Sequence, residues 1–239
     1  MNRRDVLKRV GGIGLMGVGG LIMKACNKDL VTHSEESLLG EGSCILIPQE
    51  TAGPFPLNLS NNPEYFRRDI AEDISGVPLN LTLKVVNANA GCTPIVNARV
   101  DVWHCDTRGV YSGFSNQPGG VNASGQTFCR GIQLSDENGD ATFTTVYPGW
   151  YPGRATHIHF QVFLNNGLAA TSQLAFPEEI NTAVFNTTEY SARGQNPMKN
   201  IDDGLFRSPA NAFQYQLTNV IANAATGGYD ATLQVGIAV

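Results

Sequence analysis

The chain has 239 residues, 15% of them charged, with 26 glycines and 12 prolines, a length for one sizeable core and a composition suited to short strands joined by many turns. Setting aside residues 1–25, which are unlike the rest, leaves 11 basic and 20 acidic residues and moves the formal charge from −5 to −9. No basic tract remains to grip a nucleic acid, so that class of partner is excluded.

Residues 1–25 read as an export signal. Arg3, Arg4, Lys8 and Arg9 precede an uncharged, glycine-rich run from Val10 to Met23, which is shorter than the roughly 20 apolar residues a membrane span needs. The segment Arg3-Arg4-Asp5-Val6-Leu7-Lys8 is similar to a twin-arginine signal, with Val6 where Phe is usual. Ala25-Cys26 is a candidate lipoprotein cleavage and lipidation site, which would give Cys26 a membrane lipid anchor; a plain cleaved signal is its rival. Residues 26–43 are polar and read as a tether, leaving 44–239 as one domain. Location outside the cytoplasm, in the periplasm or cell envelope, follows as an expectation. Cys44, Cys92, Cys105 and Cys129 would then permit up to two disulfides, with Cys105–Cys129 the preferred pair.

Along the domain, Leu79, Leu81, Leu83 and Val85 alternate with polar or small neighbours, as in a half-buried strand. Ala98 to Cys105 repeats the pattern, and Asp106-Thr107-Arg108-Gly109 is a turn that delivers Val110-Tyr111. Residues 112–127 form a long loop. Asp136-Glu137-Asn138-Gly139 reads as a hairpin turn between residues 131–134 and 141–146. After a break at 147–153, the next strand puts Ile158, Phe160, Val162 and Leu164 on one face and His157, His159 and Gln161 on the other. A three-residue loop Asn165-Asn166-Gly167 would set His159 opposite Gln173 on the returning strand, whereas a two-residue Asn166-Gly167 turn would put Gln173 on the wrong face. Ala210 to Ala225 offers one short helix, with Ser208 as N-cap and Pro209 at its first position. Asp230 to Val239 alternates as a last strand. The expected fold is all-β, a β-sandwich with long loops and little helix.

Tyr111, Tyr151, His157 and His159 carry the chemistry. A His-x-His pair on a strand directs both imidazoles to one face. Phenolates are hard anionic donors that favour a ferric ion, and no carboxylate stands beside this pair to complete the usual Fe(II) facial triad. The donor set therefore points to non-haem Fe(III). A single Tyr, or His-x-His alone, would carry little; His104, Arg108 and Arg130 read as structural.

Several blocks together resemble the intradiol ring-cleavage dioxygenases of the protocatechuate and catechol dioxygenase type. They are Glu50-Thr51-Ala52-Gly53-Pro54-Phe55, Val100 to Cys105 continuing through Gly109-Val110-Tyr111, Arg130-Gly131-Ile132-Gln133, Pro148-Gly149-Trp150-Tyr151, and Arg154-Ala155-Thr156-His157-Ile158-His159. The resemblance implies Tyr111, Tyr151, His157 and His159 as iron ligands, with Tyr151 the one displaced when substrate binds. It implies that Arg154 steadies negative charge on the bound ring and that Gln173 lies beside the oxygen-binding region. The implied substrates are a small aromatic diol and dioxygen, and the product a cis,cis-muconate-type dicarboxylic acid. No counterpart of the helical dimerisation segment of catechol dioxygenases is seen, so the chain is closer to a protocatechuate dioxygenase subunit or the exported single-domain relatives, with an oligomer or a partner subunit left open. The stretch from Asp136 to Tyr151 also resembles non-catalytic transthyretin-like modules, which makes a surface binding module one alternative; a copper or zinc enzyme on the same fold is another.

Overall fold

The computed structural model describes residues 44–207 and 212–239; the expected signal, the Cys26 site, the tether up to residue 43 and the helix start at Ser208-Pro209 lie outside the described residues. Among the described residues the strands are β1 (Pro78–Asn87), β2 (Thr93–Pro94), β3 (Arg99–Trp103), β4 (Arg130–Leu134), β5 (Asp140–Val146), β6 (His157–Leu164), β7 (Gly167–Ala175), β8 (Asn219–Asn223) and β9 (Gly228–Ile237). Two short helices, α1 (Glu178–Phe185) and α2 (Thr188–Ser191), follow β7. The all-β sandwich is observed. One sheet runs β2-β1-β9-β8 with β5 also on β1, and the other runs β4-β3-β6-β7.

Period-two patterning builds the core. Leu79, Leu81, Leu83 and Val85 of β1 are all buried and meet Ala231, Leu233 and Val235 of β9. From the second sheet come Val100 and Val102, then Ile158, Phe160 and Val162, then Ala170 and Leu174. Each fully buried aliphatic or aromatic side chain contributes about 1.5–3 kcal/mol of transfer free energy. The second sheet is unusual in burying polar residues on its other face as well: Asp101, His157, His159 and Gln173 are all at most 3% exposed. That second face holds the site.

Three expectations need correction. Asp136 does nucleate a turn, its Oδ1 accepting from the backbone N–H groups of Asn138 and Asp140 at 2.9 Å each. The strands on either side do not pair, because β4 joins β3 while β5 joins β1. An Asx turn fixes a reversal of direction, not a ladder, so the chain crosses here from one sheet to the other. Next, the described part of the expected C-terminal helix is a 3-10 turn at Ala212–Tyr215 followed by β8, which pairs with β9; strand pairing overrode an ambiguous apolar spacing. The helices form instead after Pro177, where Glu178 and Glu179 occupy the first turn and Val184 and Phe185 are buried.

The third correction is the disulfide. Cys44 bonds Cys92, while Cys105 and Cys129 are free and buried. Leu46 and Ile47 run beside Gly236 near the end of β9, and Ala88 donates to Ile237 in the same strand. The two chain segments that meet at that end carry Cys44 and Cys92. The preferred pair Cys105–Cys129 does not form: Cys105 packs against Trp103 and Tyr111, and Cys129 lies in a separate cluster with Val110, Phe128 and Val146.

Candidate metal centre

His157 and His159 project from the outer face of β6, beside Trp103 of β3 and Gln173 of β7. The register pairs His159 with both. Gln173 reaches that position by a route other than the three-residue loop. The β6–β7 turn has two residues, Asn165 and Asn166, both at positive φ (48° and 65°), and Leu164 pairs with Gly167. An irregularity between Val162 and Phe163 then shifts the register by one, restoring His159↔Gln173.

The tyrosines come from two loops pressed together. Gly149 donates to the Asp106 carbonyl at 3.1 Å, and a Cβ there would lie 2.5 Å from the Thr107 carbonyl oxygen; only glycine allows that approach. Tyr111 is fixed by Gln117, whose side chain accepts from the Tyr111 N–H at 2.8 Å and donates to its carbonyl. Phe55 stacks on the Tyr111 ring at 4.8 Å.

His157 Nε2 lies 3.4 Å from Tyr111 Oη, 3.1 Å from Tyr151 Oη and 3.1 Å from His159 Nε2. Two phenol oxygens and two imidazole nitrogens thus converge on one point. The His157 Nδ1–H donates to the Ala155 carbonyl at 2.6 Å, which assigns the Nε2 lone pair to the cluster. Burial holds the His157 imidazole down at about 3, helped by the Arg154 charge, and pushes His159 well below its ordinary range, with His157 adding to the effect. Both rings are therefore neutral donors at physiological pH. Burial also pushes the Tyr111 phenol well above its ordinary value, so its ionisation requires a nearby cation.

This donor set fits a hard trivalent metal: two neutral imidazoles plus two oxygens that become anionic in its presence. Among the described residues no group of three or more His, Cys, Asp or Glu side chains offers a competing site. His159 Nδ1 is buried with no protein partner, and its ring stacks on Trp103 at 5.1 Å with 2° between planes.

Arg154 lies beside the cluster. Its Nη2 donates to Gln173 Oε1 at 2.5 Å and its Nε to Asp203 Oδ2 at 2.8 Å, while Gln173 Nε2 donates to the Thr51 carbonyl at 2.8 Å. All six residues singled out in the sequence are thus brought into one locality. His104 is occupied elsewhere, its two ring nitrogens 2.8 Å from the Cys105 carbonyl and 2.9 Å from Thr145 Oγ1. Arg130 is buried against Ser112, and Arg108 pairs with Asp106. Sequence reasoning missed the packing roles of Trp103 and Phe55, which stood inside quoted blocks, and it missed Asp203, for which no local pattern gave a signal.

Residues 58–195 match the sequence model of the family described as "Dioxygenase". The chain is similar to an intradiol ring-cleavage dioxygenase from Tetranychus urticae, with a TM-score of 0.72 and 32% identity over 82% of this chain and 95% of that one. It is also similar to the dioxygenase domain of a dioxygenase and carbohydrate-binding fusion protein from Streptomyces sp. SirexAA-E, at a TM-score of 0.56 and 25% identity, covering 82% and 99% of the two chains. A catechol 1,2-dioxygenase from Acinetobacter baylyi is 29% identical over 168 residues, which are 61% of this chain and 50% of that protein, so the chain spans about half the length of this curated relative.

Proposed function

We propose that this chain, which belongs to the intradiol ring-cleaving dioxygenase family, holds a non-haem ferric ion on Tyr111, Tyr151, His157 and His159. Its reaction is the cleavage of a catechol-type aromatic diol by dioxygen to a cis,cis-muconate-type dicarboxylic acid. The observation that carries this reading is the approach of both phenol oxygens and the second imidazole to within 3.4 Å of His157 Nε2. Bound ferric iron supplies the Lewis acidity that allows both oxygens of a catechol to lose their protons near neutral pH.

The chain's own groups divide the remaining work. Tyr151 is half-buried whereas Tyr111 is fully enclosed, which makes Tyr151 the phenol free to swing away and accept a substrate proton at Oη. The Arg154 guanidinium, held by Asp203 and Gln173, is aimed to offset negative charge on the bound ring in a site of low dielectric. Gln173 is clamped between Arg154 and the Thr51 carbonyl, and in this reading it lines the side on which dioxygen enters. Phe55, Ala52 and Trp103 pack around the tyrosines and exclude water.

Action outside the cytoplasm is part of the proposal. It is supported by Arg3-Arg4 with the apolar run behind them and by the Cys44–Cys92 disulfide, a bond that persists in oxidising compartments. Metal analysis tests the reading: purified protein should hold one ferric ion and be red-brown from tyrosinate-to-iron charge transfer, and His157→Ala or His159→Ala should remove metal and colour together. A colourless, iron-free wild type that is fully active would overturn it.

A further inference from the structure

We propose that Asp203 is a positioning residue for both halves of the site, aiming the Arg154 guanidinium and anchoring Ala155, the residue whose carbonyl orients His157. The inference rests on the proposed function for the meaning of those two residues. Asp203 lies beyond the 58–195 stretch matched by the family model and is 1% exposed.

Its Oδ2 accepts two hydrogen bonds, from Arg154 Nε at 2.8 Å and from the Ala155 N–H at 2.8 Å. The carbonyl of the same Ala155 accepts the Nδ1–H of His157 at 2.6 Å. One carboxylate oxygen therefore holds the charged group beside the metal centre and, through one residue, the ring whose Nε2 faces it. Oδ1 is tied down in turn by the Leu205 N–H at 3.0 Å. The Asp203 backbone is closed into its own loop, donating to Lys199 and accepting from Arg207. A second side chain from the same loop reinforces the clamp, Asn196 Nδ2 donating to the Arg154 carbonyl at 3.0 Å. Residues 154–155 are thus held from outside β6, at the point where the chain turns into the ligand-bearing strand.

The arrangement is more specific than a buried ion pair. A lone Arg–Asp pair would fix only the guanidinium. The bond to the Ala155 N–H adds a route to the imidazole that does not pass through Arg154, and the two routes can be separated. Arg154→Gln should remove the charge and leave the Asp203–Ala155–His157 line intact. Asp203→Asn should weaken both, since a neutral amide oxygen accepts from Arg154 and Ala155 less strongly than the Oδ2 carboxylate oxygen does, and the amide NH2 would face the Leu205 N–H where Oδ1 accepts.

The test compares Asp203→Asn, Arg154→Gln and wild type as full-length protein, by thermal melting, kcat and KM with catechol, the rate of iron loss to a chelator, and the His157 Nδ1 proton resonance in iron-free protein. For Asp203→Asn, iron loss should be about 10–100-fold faster and kcat lower by a similar factor, with the Nδ1 proton exchanging faster. For Arg154→Gln, kcat should fall with iron loss and the Nδ1 proton close to wild type. If Asp203→Asn does not fold, Asp203→Glu carries the same readouts, because its longer arm keeps the charge and displaces the oxygen. A folded Asp203 variant with wild-type chelation rate, Nδ1 exchange and kcat overturns the proposal, as does an Arg154→Gln that loses iron equally fast. Wild type that binds no iron would instead overturn the proposed function, and the Nδ1 proton would still decide the role of Asp203.

Discussion

Tyr111 and Tyr151 lie 5.9 Å apart, ring centre to centre, yet differ in freedom: one is enclosed under Phe55 and the other reaches solvent. Tyr151→Phe should keep iron and slow substrate deprotonation, whereas Tyr111→Phe should alter the colour throughout turnover. Stopped-flow spectra with a catechol check this, and identical behaviour would mean the roles are misassigned. Gly53 sits at φ +72°, and a Cβ there would lie 2.8 Å from His159 Cε1. Gly53→Ala should cost about 1 kcal/mol from the left-handed backbone alone and speed iron loss by displacing the ring; urea unfolding and a chelator chase measure the two effects. Asp101 adds a pH-dependent term, its carboxyl pushed up to about 6 because burial outweighs the attraction of Arg99. Raised on folding, this group penalises the native state above pH 6, and the penalty is relieved as pH falls toward the unfolded value near 3.8. Relative to Asp101→Asn, wild type should gain about 2 kcal/mol between pH 7 and pH 4 in urea titrations. At this scale the His-x-His pair was legible because a strand's period of two places it without further knowledge. Asp203 was not, since its meaning comes from contacts across 48 and 49 residues of chain.

The β6–β7 hairpin shows how an element can be read correctly in outcome and wrongly in route. A three-residue loop and a two-residue turn followed by a one-residue register shift place Gln173 at the same rung, so the pattern of buried residues cannot tell them apart. What distinguishes them is backbone conformation: Asn165 and Asn166 both take the left-handed region, as a tight hairpin turn requires, and asparagine tolerates it. Asn166→Ala should destabilise by about 1 kcal/mol and Asn166→Gly should cost nothing, as read from chemical denaturation; equal losses would contradict the turn assignment. The strands β1, β3, β6 and β9 were legible because one face of each is apolar. The crossing between β4 and β5 was not, because each strand meets its neighbours through pairings far away in sequence, β5 with β1 and β4 with β3. The 3-10 turn and β8 were missed for the same reason, since β8 owes its conformation to β9.

At the level of the whole molecule, one covalent tie joins the start of the described chain to the turn after β1. The Cys44–Cys92 bond spans 48 residues, for which the chain-entropy model gives about 4 kcal/mol of stabilisation. Reduction should lower stability by an amount of that order while Cys105 and Cys129 stay unreactive until the protein unfolds, since both thiols are buried and Cys105 is pushed above its ordinary range by desolvation. Thiol labelling during a denaturant titration checks both halves of that statement. The central claim, ring opening between the two oxygens of a catechol by a site of two tyrosines and two histidines, is tested most directly by product analysis under ¹⁸O₂. The iron-loaded protein should consume oxygen with catechol and yield a dicarboxylic acid carrying one labelled atom in each carboxyl group, and His157→Ala should yield none. A semialdehyde from cleavage outside the diol, a product whose new oxygens come from water, or equal turnover by the His157 variant would contradict it.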